Sequence, residues 1–407
     1  MVESHYPFII IGGSITAYSA IKTFREFDKD TRILLVSGED RLPYKRTKIN
    51  KHIIRGFDKE EFRLADEKWY AQNNVDLLLD WVVNLNPDDK TISTKGKHQF
   101  TFGRLLIATG ATSVIPQISG LTLNEYHKVQ NAIDVEKLIA TSKEAHAFLI
   151  IGAGVEGIET ADQLVRKGKK VVIVNRLPHP MQKLFPASIT DILKTEMKKK
   201  EVEFIGGINI SSVHKNQKGR YEVVIKGQSY VFDALVACAG AIPNITLATE
   251  AGLETDRGIV VNKWLQTSHP HIYAAGDVSQ HPGGYISGLW HAAEYQGKIV
   301  AQNVNNYYMK FEAPPFRLKT EVFNLFLFSA AYESVIPDEM EIINEEAGDV
   351  QRIFYFKDDK LKAAVMINDG ERAKTYQLAL MEEWSLEKIK NKIPLQPPMA
   401  FSFSPSK

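Results

Sequence analysis

The sequence predicts an α/β protein with two Rossmann-like domains, because two glycine-rich turns each lie between an apolar strand pattern and a helical pattern. The first turn covers residues 12–17 and follows the apolar run 8–11. The second covers residues 152–157 and follows the apolar run 148–151. A turn of this kind binds one pyrophosphate at the start of its helix. Two turns therefore predict two dinucleotides in one molecule, and electron transfer between them is the simplest chemistry for such a pair.

The length and composition are those of an ordinary globular protein. A chain of 407 residues has room for two or three domains with their own cores. The formal net charge of +1 gives no global attraction to nucleic acid or to an anionic membrane. No apolar run approaches the roughly 20 residues that cross a bilayer. The N-terminal residues lack the features of a secretory signal. We therefore expect a cytoplasmic protein without a membrane span.

The single cysteine restricts the redox chemistry. Cys238 is the only cysteine in the chain, so an intrachain disulfide and a CxxC redox pair are both impossible. Any electrons must pass directly between cofactors or from a cofactor to a partner. Cys238 lies in the segment 234–240, whose pattern is that of a buried strand, and this predicts a packing role. Reversible oxidation of the lone thiol is the alternative.

The element patterns give two βαβ units in sequence. The first has the length of about 30 residues that such a unit needs. Its strands and helix, and a later strand of the same domain, are predicted at 8–11, 15–27, 32–36 and 104–108. The second unit and the elements after it are predicted at 147–151, 155–167, 170–174, 189–200, 221–226 and 235–238. The last elements are predicted at 259–261, 271–275, 290–304, 350–356, 361–367 and 370–382.

This order of elements predicts that one nucleotide-binding domain is inserted in another. The expected parts are a discontinuous first domain, an inserted second domain, a small C-terminal α+β domain and a flexible tail, at 1–115 with 237–312, 116–236, 313–393 and 394–407 respectively. The tail prediction is based on proline and serine with little periodicity. The apolar segment 322–328 is expected to lie in a core or a dimer interface rather than in an acceptor site.

The two turns differ in how closely they follow the pattern for a pyrophosphate. In the first, Gly12 fits the tight bend, Ser14 replaces the glycine of closest approach, and Ala17 fits the helix-packing position. The second turn is complete, with glycine at all three positions, Gly152, Gly154 and Gly157.

With the segments 103–111 and 272–277 added to these turns, the chain resembles a known family, the FAD- and NAD(P)-dependent pyridine nucleotide oxidoreductases. It is most similar to the branch of NADH:rubredoxin reductases, ferredoxin reductases and the flavin part of large nitrite reductase subunits. The resemblance covers about 1–310 well and 311–385 more faintly. It implies that an NAD domain is inserted in an FAD domain, with FAD and NADPH or NADH as cofactors.

The resemblance also implies which residues contact FAD. Arg46 is similar to the arginine on the phosphates, and Lys51 to the lysine beside flavin N5. Either Ser37 or Glu39 is expected on the adenosine ribose. The remaining expected contacts are Val82 at the adenine, Thr109 and Gly110 at the turn into the second domain, Gly240 after the strand of Cys238, Gly276 and Asp277 near the ribityl chain, and Trp290 and His291 at the start of a helix aimed at the flavin. The alternative role for His291 is to cap that helix or to pack in the core.

The second half supplies the expected nicotinamide contacts. By the resemblance, Glu159 pairs with Lys51 beside the flavin. The strand that ends near 174 is followed by Asn175 and Arg176, where an NAD site places a carboxylate and an NADP site an arginine. Arg176 could bind a 2′-phosphate, or NADH could bind through Asn175, so the coenzyme stays open at this point.

The resemblance implies an enzyme that passes a hydride from the nicotinamide to flavin N5 and then electrons to a small rubredoxin- or ferredoxin-like protein. A quinone, a nitro compound or oxygen are alternative acceptors. A flavoprotein without turnover, acting as a nucleotide sensor or scaffold, is the rival, because Ser14, Glu156 and Asn175 depart from the family pattern. The chain is expected to be a monomer or homodimer, with no metal site and no nucleic-acid partner.

Overall fold

The structure is a computed structural model that describes residues 4–56, 60–315 and 317–395. Of the predicted flexible tail, residues 396–407 lie outside the described residues. In the part of the chain that the structure describes, no helix is both long enough and apolar enough to cross a membrane.

The helices of the described residues are α1 (Ile15–Phe27), α2 (Glu67–Gln72), α3 (Ala132–Thr141), α4 (Val155–Arg166), α5 (Ala187–Lys199), α6 (Thr246–Glu250), α7 (Trp290–Val304), α8 (Ala373–Met381) and α9 (Leu386–Lys392). Among them, α1, α4, α5, α7 and α8 fall close to predicted positions, whereas α2, α3, α6 and α9 had no predicted position. The predictions of 15–27 and 290–304 are confirmed at both ends. The predicted helix 370–382 is corrected, because its first turn, 370–372, is a 3₁₀ turn and the α-helix ends at Met381.

The strands of the first half are β1 (Ser4–Ile11), β2 (Ile33–Ser37), β3 (Val75–Leu79), β4 (Val82–Asn86), β5 (Thr91–Thr94), β6 (Gln99–Ile107), β7 (Ala111–Ser113), β8 (Tyr126–His127), β9 (Ala147–Ile151), β10 (Lys170–Asn175), β11 (Val202–Gly206) and β12 (His214–Lys215). They continue with β13 (Tyr221–Ile225), β14 (Gln228–Phe232), β15 (Ala234–Ala237), β16 (Ala241–Pro243), β17 (Ile259–Val260), β18 (Ile272–Ala274), β19 (Ser279–Gln280), β20 (Arg317–Val322), β21 (Leu325–Ala330), β22 (Glu341–Ala347), β23 (Val350–Lys357) and β24 (Lys360–Ile367).

The chain divides into two compact units. The first unit consists of the chain up to Val114 together with Lys128–Leu138 and Gly240–Ala313. The second unit consists of Ile115–His127, Ile139–Ala239 and the chain from Pro314 on. The predicted division into three domains with a separate C-terminal domain stays a prediction.

The sheet of the first unit has the order β3-β2-β1-β6-β5-β4, and β18 also pairs with β6. The strands β1, β2, β3, β6 and β18 are parallel, while β4 and β5 form an antiparallel extension. The residues of β2 and the last residues of β1 are buried throughout, as expected for parallel strands whose two faces are both covered. Helices α1 and α7 pack against each other in this unit.

The second unit contains a parallel sheet of the order β11-β10-β9-β15-β8 and a small antiparallel sheet of β12, β13 and β14. Its C-terminal part is an antiparallel sheet of the order β20-β21-β24-β23-β22. The predicted apolar segment 322–328 contains the turn between β20 and β21. Val322, Phe323, Leu327 and Phe328 are buried, so the prediction of a core position is supported for them.

An ionic cluster lies inside the C-terminal sheet. Arg352 is fully buried, and its guanidinium donates to Glu345 at 2.5 Å and to the Ile393 carbonyl at 3.1 Å. The Asp369 carboxylate, 3.6 Å from Arg352, also accepts a bond from Tyr376. Buried charges of this kind are tolerated only while each keeps its partners.

We predict that Arg352→Met strongly destabilises the fold, because two acidic groups lose their buried counter-charge. The expected loss is about 3 kcal/mol of unfolding free energy. Arg372→Met is the matched control, since Arg372 binds the same Asp369 at 2.8 Å from a partly exposed position. Its expected loss is below about 1 kcal/mol. Urea unfolding measures both variants, and equal losses would contradict the prediction.

Candidate functional site

The first glycine-rich turn is fixed by a close approach of two backbone segments. Gly12 follows β1 with a φ of 110°, which favours glycine. A Cβ at Gly12 would overlap the carbonyl oxygen of Ala108, the residue after β6. The Gly12 N–H donates to the Val36 carbonyl at 2.8 Å. The chain therefore turns sharply from β1 into α1 at the carboxyl edge of the sheet.

The start of α1 is suited to an anion. Ser14 is the N-cap residue, and its side chain makes no capping hydrogen bond to the helix. The first turn of α1 contains no acidic residue. The N–H groups of a helix start carry partial positive charge and bind phosphate when no side chain caps them. Ala17 is fully buried, which agrees with a helix-packing position.

The two candidates for the adenosine ribose are placed differently. Ser37 is buried at the end of β2, where a Cβ on Gly13 would overlap its hydroxyl. Glu39 lies two residues further on, accepts a hydrogen bond from the Tyr44 hydroxyl at 2.7 Å and forms an ion pair with Arg46. The carboxylate at this strand end is therefore already ordered by neighbouring side chains.

Arg46 connects three parts of the first unit. It lies in a 3₁₀ turn, Arg46–Lys48, pairs with Glu39, and donates to the Gln130 carbonyl at 3.3 Å. Burial raises the pKa of Asp277, and the charge of Arg46 offsets part of that rise. The structure therefore joins Arg46 to Glu39 and places it near enough to Asp277 for their charges to interact.

The turn after β6 is held by one asparagine. The Asn244 side chain donates to the Thr109 carbonyl at 2.8 Å, and the Asn244 backbone N–H donates to the Gly110 carbonyl at 2.9 Å. The Gly240 carbonyl accepts a bond from Val114 at 2.8 Å, next to the two-stranded ribbon of β7 and β16. These bonds fix the crossing of two chain segments in the first unit.

Four further predicted FAD contacts also lie in the first unit. Val82 begins β4, next to Trp81, whose ring packs on Gly38 while 62% of the residue stays exposed. Lys51 lies half-buried in a second 3₁₀ turn of the loop that contains Arg46. The remaining two open α7, which has no side-chain cap; they are Trp290, half-buried, and His291, exposed.

The second turn repeats the geometry of the first. Gly152 has a φ of 111°, and a Cβ there would overlap the Cys238 carbonyl oxygen. The Gly152 N–H donates to the Val174 carbonyl at 2.8 Å. Gly154 is the N-cap residue of α4, and a Cβ there would have no heavy atom within 4 Å. Gly157 approaches the Gly152 carbonyl too closely for a side chain. The space above Gly154 is therefore open for a ligand.

Cys238 lies buried behind this turn. Burial raises the pKa of the Cys238 thiol, and the nearby Glu156 carboxylate raises it further. A thiol with a raised pKa is a poor nucleophile. The position and chemistry of Cys238 support the predicted packing role.

The side chain of Asn175 is used by the protein itself. Its Oδ1 accepts from the Ala153 N–H at 3.2 Å, and its Nδ2 donates to the Leu177 carbonyl at 2.9 Å. The amide thus ties the loop after β10 to the glycine turn. Arg176, the next residue, is exposed to solvent, as is Lys183 further along the loop.

Two carboxylates of α4 are bound by the C-terminal sheet. Glu159 is only 7% exposed and accepts a hydrogen bond from the Thr320 hydroxyl of β20. Asp162, one helical turn later, accepts from the Phe323 N–H at 2.8 Å. The expected pair of Glu159 with Lys51 joins residues of two different units and stays a prediction.

The residues fit two dinucleotides. Each turn presents a helix start without a side-chain cap, which suits a pyrophosphate. In the first unit, Arg46 and Glu39 form an ion pair, so the chain has there a guanidinium and a carboxylate, the types of group that bind phosphate and ribose hydroxyls. Among residues 4–56, 60–315 and 317–395, no group of three or more His, Cys, Asp or Glu side chains could hold a metal ion.

Comparison with known proteins identifies a matching family and relatives that are named as reductases. The family model described as pyridine nucleotide-disulphide oxidoreductase matches residues 6–297. The NAD(P)H nitrite reductase of Bacillus subtilis is 25% identical over 397 residues, which cover 96% of this chain and 49% of that protein. The rubredoxin-NAD(+) reductase of Alcanivorax borkumensis is 27% identical over 375 residues, which cover 91% of this chain and 97% of that one. The chain thus spans about half the length of the nitrite reductase.

The fold is also that of a solved structure. The ferredoxin reductase for the CYP199A2 system from Rhodopseudomonas palustris superposes with a TM-score of 0.86 at 21% identity. The match covers 94% of this chain and 96% of that one. This likeness confirms the predicted α/β fold class.

Several residues of the site were missed by the sequence analysis. The sequence around Tyr44 and Asn244 has no pattern that indicates their hydrogen-bond partners. Asn244 bonds to the distant Thr109 and Gly110, and Tyr44 bonds to Glu39 in a loop. Thr320 lies in a strand of alternating character and contacts a helix about 160 residues earlier. Gln296 gave a usable signal, because it is a polar residue on the buried face of α7.

We predict that Gly154→Val weakens pyridine nucleotide binding while the protein still folds. The backbone at Gly154 has a φ of −74° and a Cβ there meets open space, so the expected loss of stability is the roughly 1 kcal/mol of an unfavourable N-cap residue. The added side chain would occupy the space where the backbone approaches the pyrophosphate. We expect the Kd for NADP⁺ to rise at least about tenfold by calorimetry, since tenfold is only about 1.4 kcal/mol of binding free energy. An unchanged Kd would show that the phosphate lies elsewhere.

Proposed function

The chain belongs to the pyridine nucleotide-disulphide oxidoreductase family, and we propose that it transfers electrons from NADPH through FAD to a small redox protein. Membership confirms the predicted enzyme class, an FAD-dependent oxidoreductase that uses NAD(P)H. The observation that carries the proposal is the repeated glycine turn, with an uncapped helix start at each copy.

The first unit supplies the proposed FAD site. FAD, when bound, supplies a ring that accepts a hydride at N5 and releases electrons to an acceptor. The start of α1 would bind the pyrophosphate together with Arg46, and Glu39 would bind the ribose hydroxyls. Asp277 would contact the ribityl chain. The start of α7 would place partial positive charge beside the ring, which stabilises negative charge that develops on reduction.

The second unit supplies the proposed pyridine nucleotide site. Gly152, Gly154 and Gly157 let the backbone at the start of α4 approach the pyrophosphate. We assign Glu159 to the nicotinamide end of this site. The protein's work is then to place the two rings correctly and to exclude water, because hydride transfer requires no nucleophilic side chain.

We propose NADPH as the preferred coenzyme. The strand end that would carry a carboxylate in an NAD site carries Asn175, and both ends of its amide are bonded to backbone groups. No negative charge at this position repels a 2′-phosphate. Arg176 is exposed beside it and can form bidentate bonds to a phosphate.

The proposed acceptor is a small iron–sulfur or rubredoxin-like protein. The single cysteine is buried behind the second turn, so a thiol relay to the acceptor is not available. The relative from Alcanivorax borkumensis is named rubredoxin-NAD(+) reductase, which supports this class of acceptor. The cytoplasmic location and the monomeric or dimeric state stay predictions.

The proposal predicts a yellow protein that NADPH bleaches under anaerobic conditions. Stopped-flow absorbance near the flavin maximum, with NADPH and NADH in turn, measures the reduction. We expect both nucleotides to bleach the flavin and NADPH to do so faster. A protein that stays yellow with both nucleotides would instead be a flavoprotein without turnover.

We predict that Arg176→Ala raises the KM for NADPH while KM for NADH stays within about twofold. A lost charge-assisted bond costs about 1.5–3 kcal/mol, which corresponds to roughly a 10- to 100-fold rise in KM. Lys198→Ala, which removes an exposed cation from the last turn of α5 in the same unit, is the control for net charge. Equal changes for the two coenzymes would reject the 2′-phosphate contact.

A further inference from the structure

A buried amide lies directly behind the proposed FAD site. Gln296 of α7 is fully buried, and its Oε1 accepts a hydrogen bond from the Gly276 N–H at 2.6 Å. Gly276 immediately precedes Asp277, the residue assigned to the ribityl chain. The Ser279 hydroxyl closes the same turn by donating to the Gly276 carbonyl at 2.8 Å. The conformation of the turn therefore depends on Gln296 and Ser279.

The amide also lies where three cofactor-facing segments meet. A Cβ at Gly276 would stand 2.7 Å from the Thr16 hydroxyl, in the first turn of α1. A Cβ at Gly297, the neighbour of Gln296, would overlap the Thr16 carbonyl. The start of α1, the turn 276–277 and helix α7 thus pack together without space for a side chain. A small shift of Gln296 would be transmitted to all three.

A histidine sets the orientation of this amide. The Nε2 atoms of Gln296 and His281 are 3.0 Å apart, so the amide N–H donates to an unprotonated imidazole nitrogen. Burial lowers the pKa of His281 to about 4, so the ring is neutral at pH 7. The ring is stacked on Phe311, with centroids 4.6 Å apart. With the amide N–H directed to His281, the Oε1 of Gln296 must face Gly276.

We propose that Gln296, oriented by His281, is a positioning residue of the flavin site. It fixes the Gly276–Asp277 turn relative to the start of α1 and the start of α7, and so determines where Asp277 meets the cofactor. This role rests on the proposed function, since it needs FAD to bind in the first unit. His281 acts through Gln296 and needs no contact with the cofactor.

Removal of the Gln296 amide would destabilise the turn at Gly276, and the other bonds of the turn would not compensate for the loss. The Gly276 N–H would be buried without an acceptor, and an unpaired buried donor drives the backbone to another arrangement. The turn would then lose its close packing on Thr16. Asp277 and the α1 start would no longer be held in one geometry.

The test compares Gln296→Leu and His281→Phe with Gln302→Leu. Gln302 lies on the same helix, and its amide oxygen has no hydrogen-bond partner, so it is the matched control. Three quantities are measured on each protein. They are the Kd for FAD by flavin fluorescence, the visible circular dichroism of bound flavin at saturating FAD, and the midpoint potential under the same conditions.

We expect Gln296→Leu to raise the Kd for FAD about tenfold or more, with a changed flavin dichroism and a shifted potential. His281→Phe should change the same three quantities in the same direction by a smaller factor, because the Gly276 bond to Gln296 remains possible. Gln302→Leu should match wild type. If Gln296→Leu does not fold, the same three measurements on His281→Phe test the proposed role of Gln296.

Two results would overturn the inference while leaving the proposed function intact. One is a Gln296→Leu protein whose dichroism and potential equal those of Gln302→Leu, since this would make the amide merely structural. The other is a His281→Phe protein that is indistinguishable from wild type in all three quantities. A wild-type protein that binds no FAD would instead refute the proposed function.

Discussion

The whole arrangement depends on the close approach of two backbone segments behind each nucleotide turn. Gly12 lies against the carbonyl of Ala108, and Gly152 lies against the carbonyl of Cys238. The hydrogen bonds repeat as well, because each of these glycines donates to the last valine of the neighbouring strand at 2.8 Å. Without a Cβ, the chain can turn at the sheet edge and present a helix start to phosphate. Cys238 and Ala108 thus occupy equivalent positions, which explains why a small packing residue suffices there.

Polar side chains from distant parts of the chain fix the conformation of the segments around these turns. In the first unit, Arg46 and Glu39 form an ion pair, so a cation and a carboxylate are present without an unpaired charge. In the second unit, the C-terminal sheet binds Glu159 and Asp162 of α4. The C-terminal sheet therefore helps to orient α4, the helix that follows the second glycine turn.

The sequence was sufficient for the parts of the fold that local physics determines. Helix α7 and the two glycine turns follow from periodicity and from the lack of side chains at a few positions. The sequence was not sufficient to predict whether a polar side chain binds a ligand or bonds to another part of the protein. Asn175 stands where a ribose contact is expected, yet its amide is bonded to the backbone of its own loop. Thr320 has its partner, Glu159, 161 residues away in sequence, so only the folded chain reveals this contact. The 3₁₀ turn at 370–372 also escaped prediction, because its spacing resembles that of an α-helix.

The central claim is that two separate sites bind two different dinucleotides at the same time. Its most direct measurement is the stoichiometry of NADP⁺ binding to the FAD-loaded protein by calorimetry, with bound FAD quantified in the same sample. The account predicts one FAD and one NADP⁺ per chain, with no release of FAD during the titration. Displacement of FAD by NADP⁺, or the absence of either site, would contradict it.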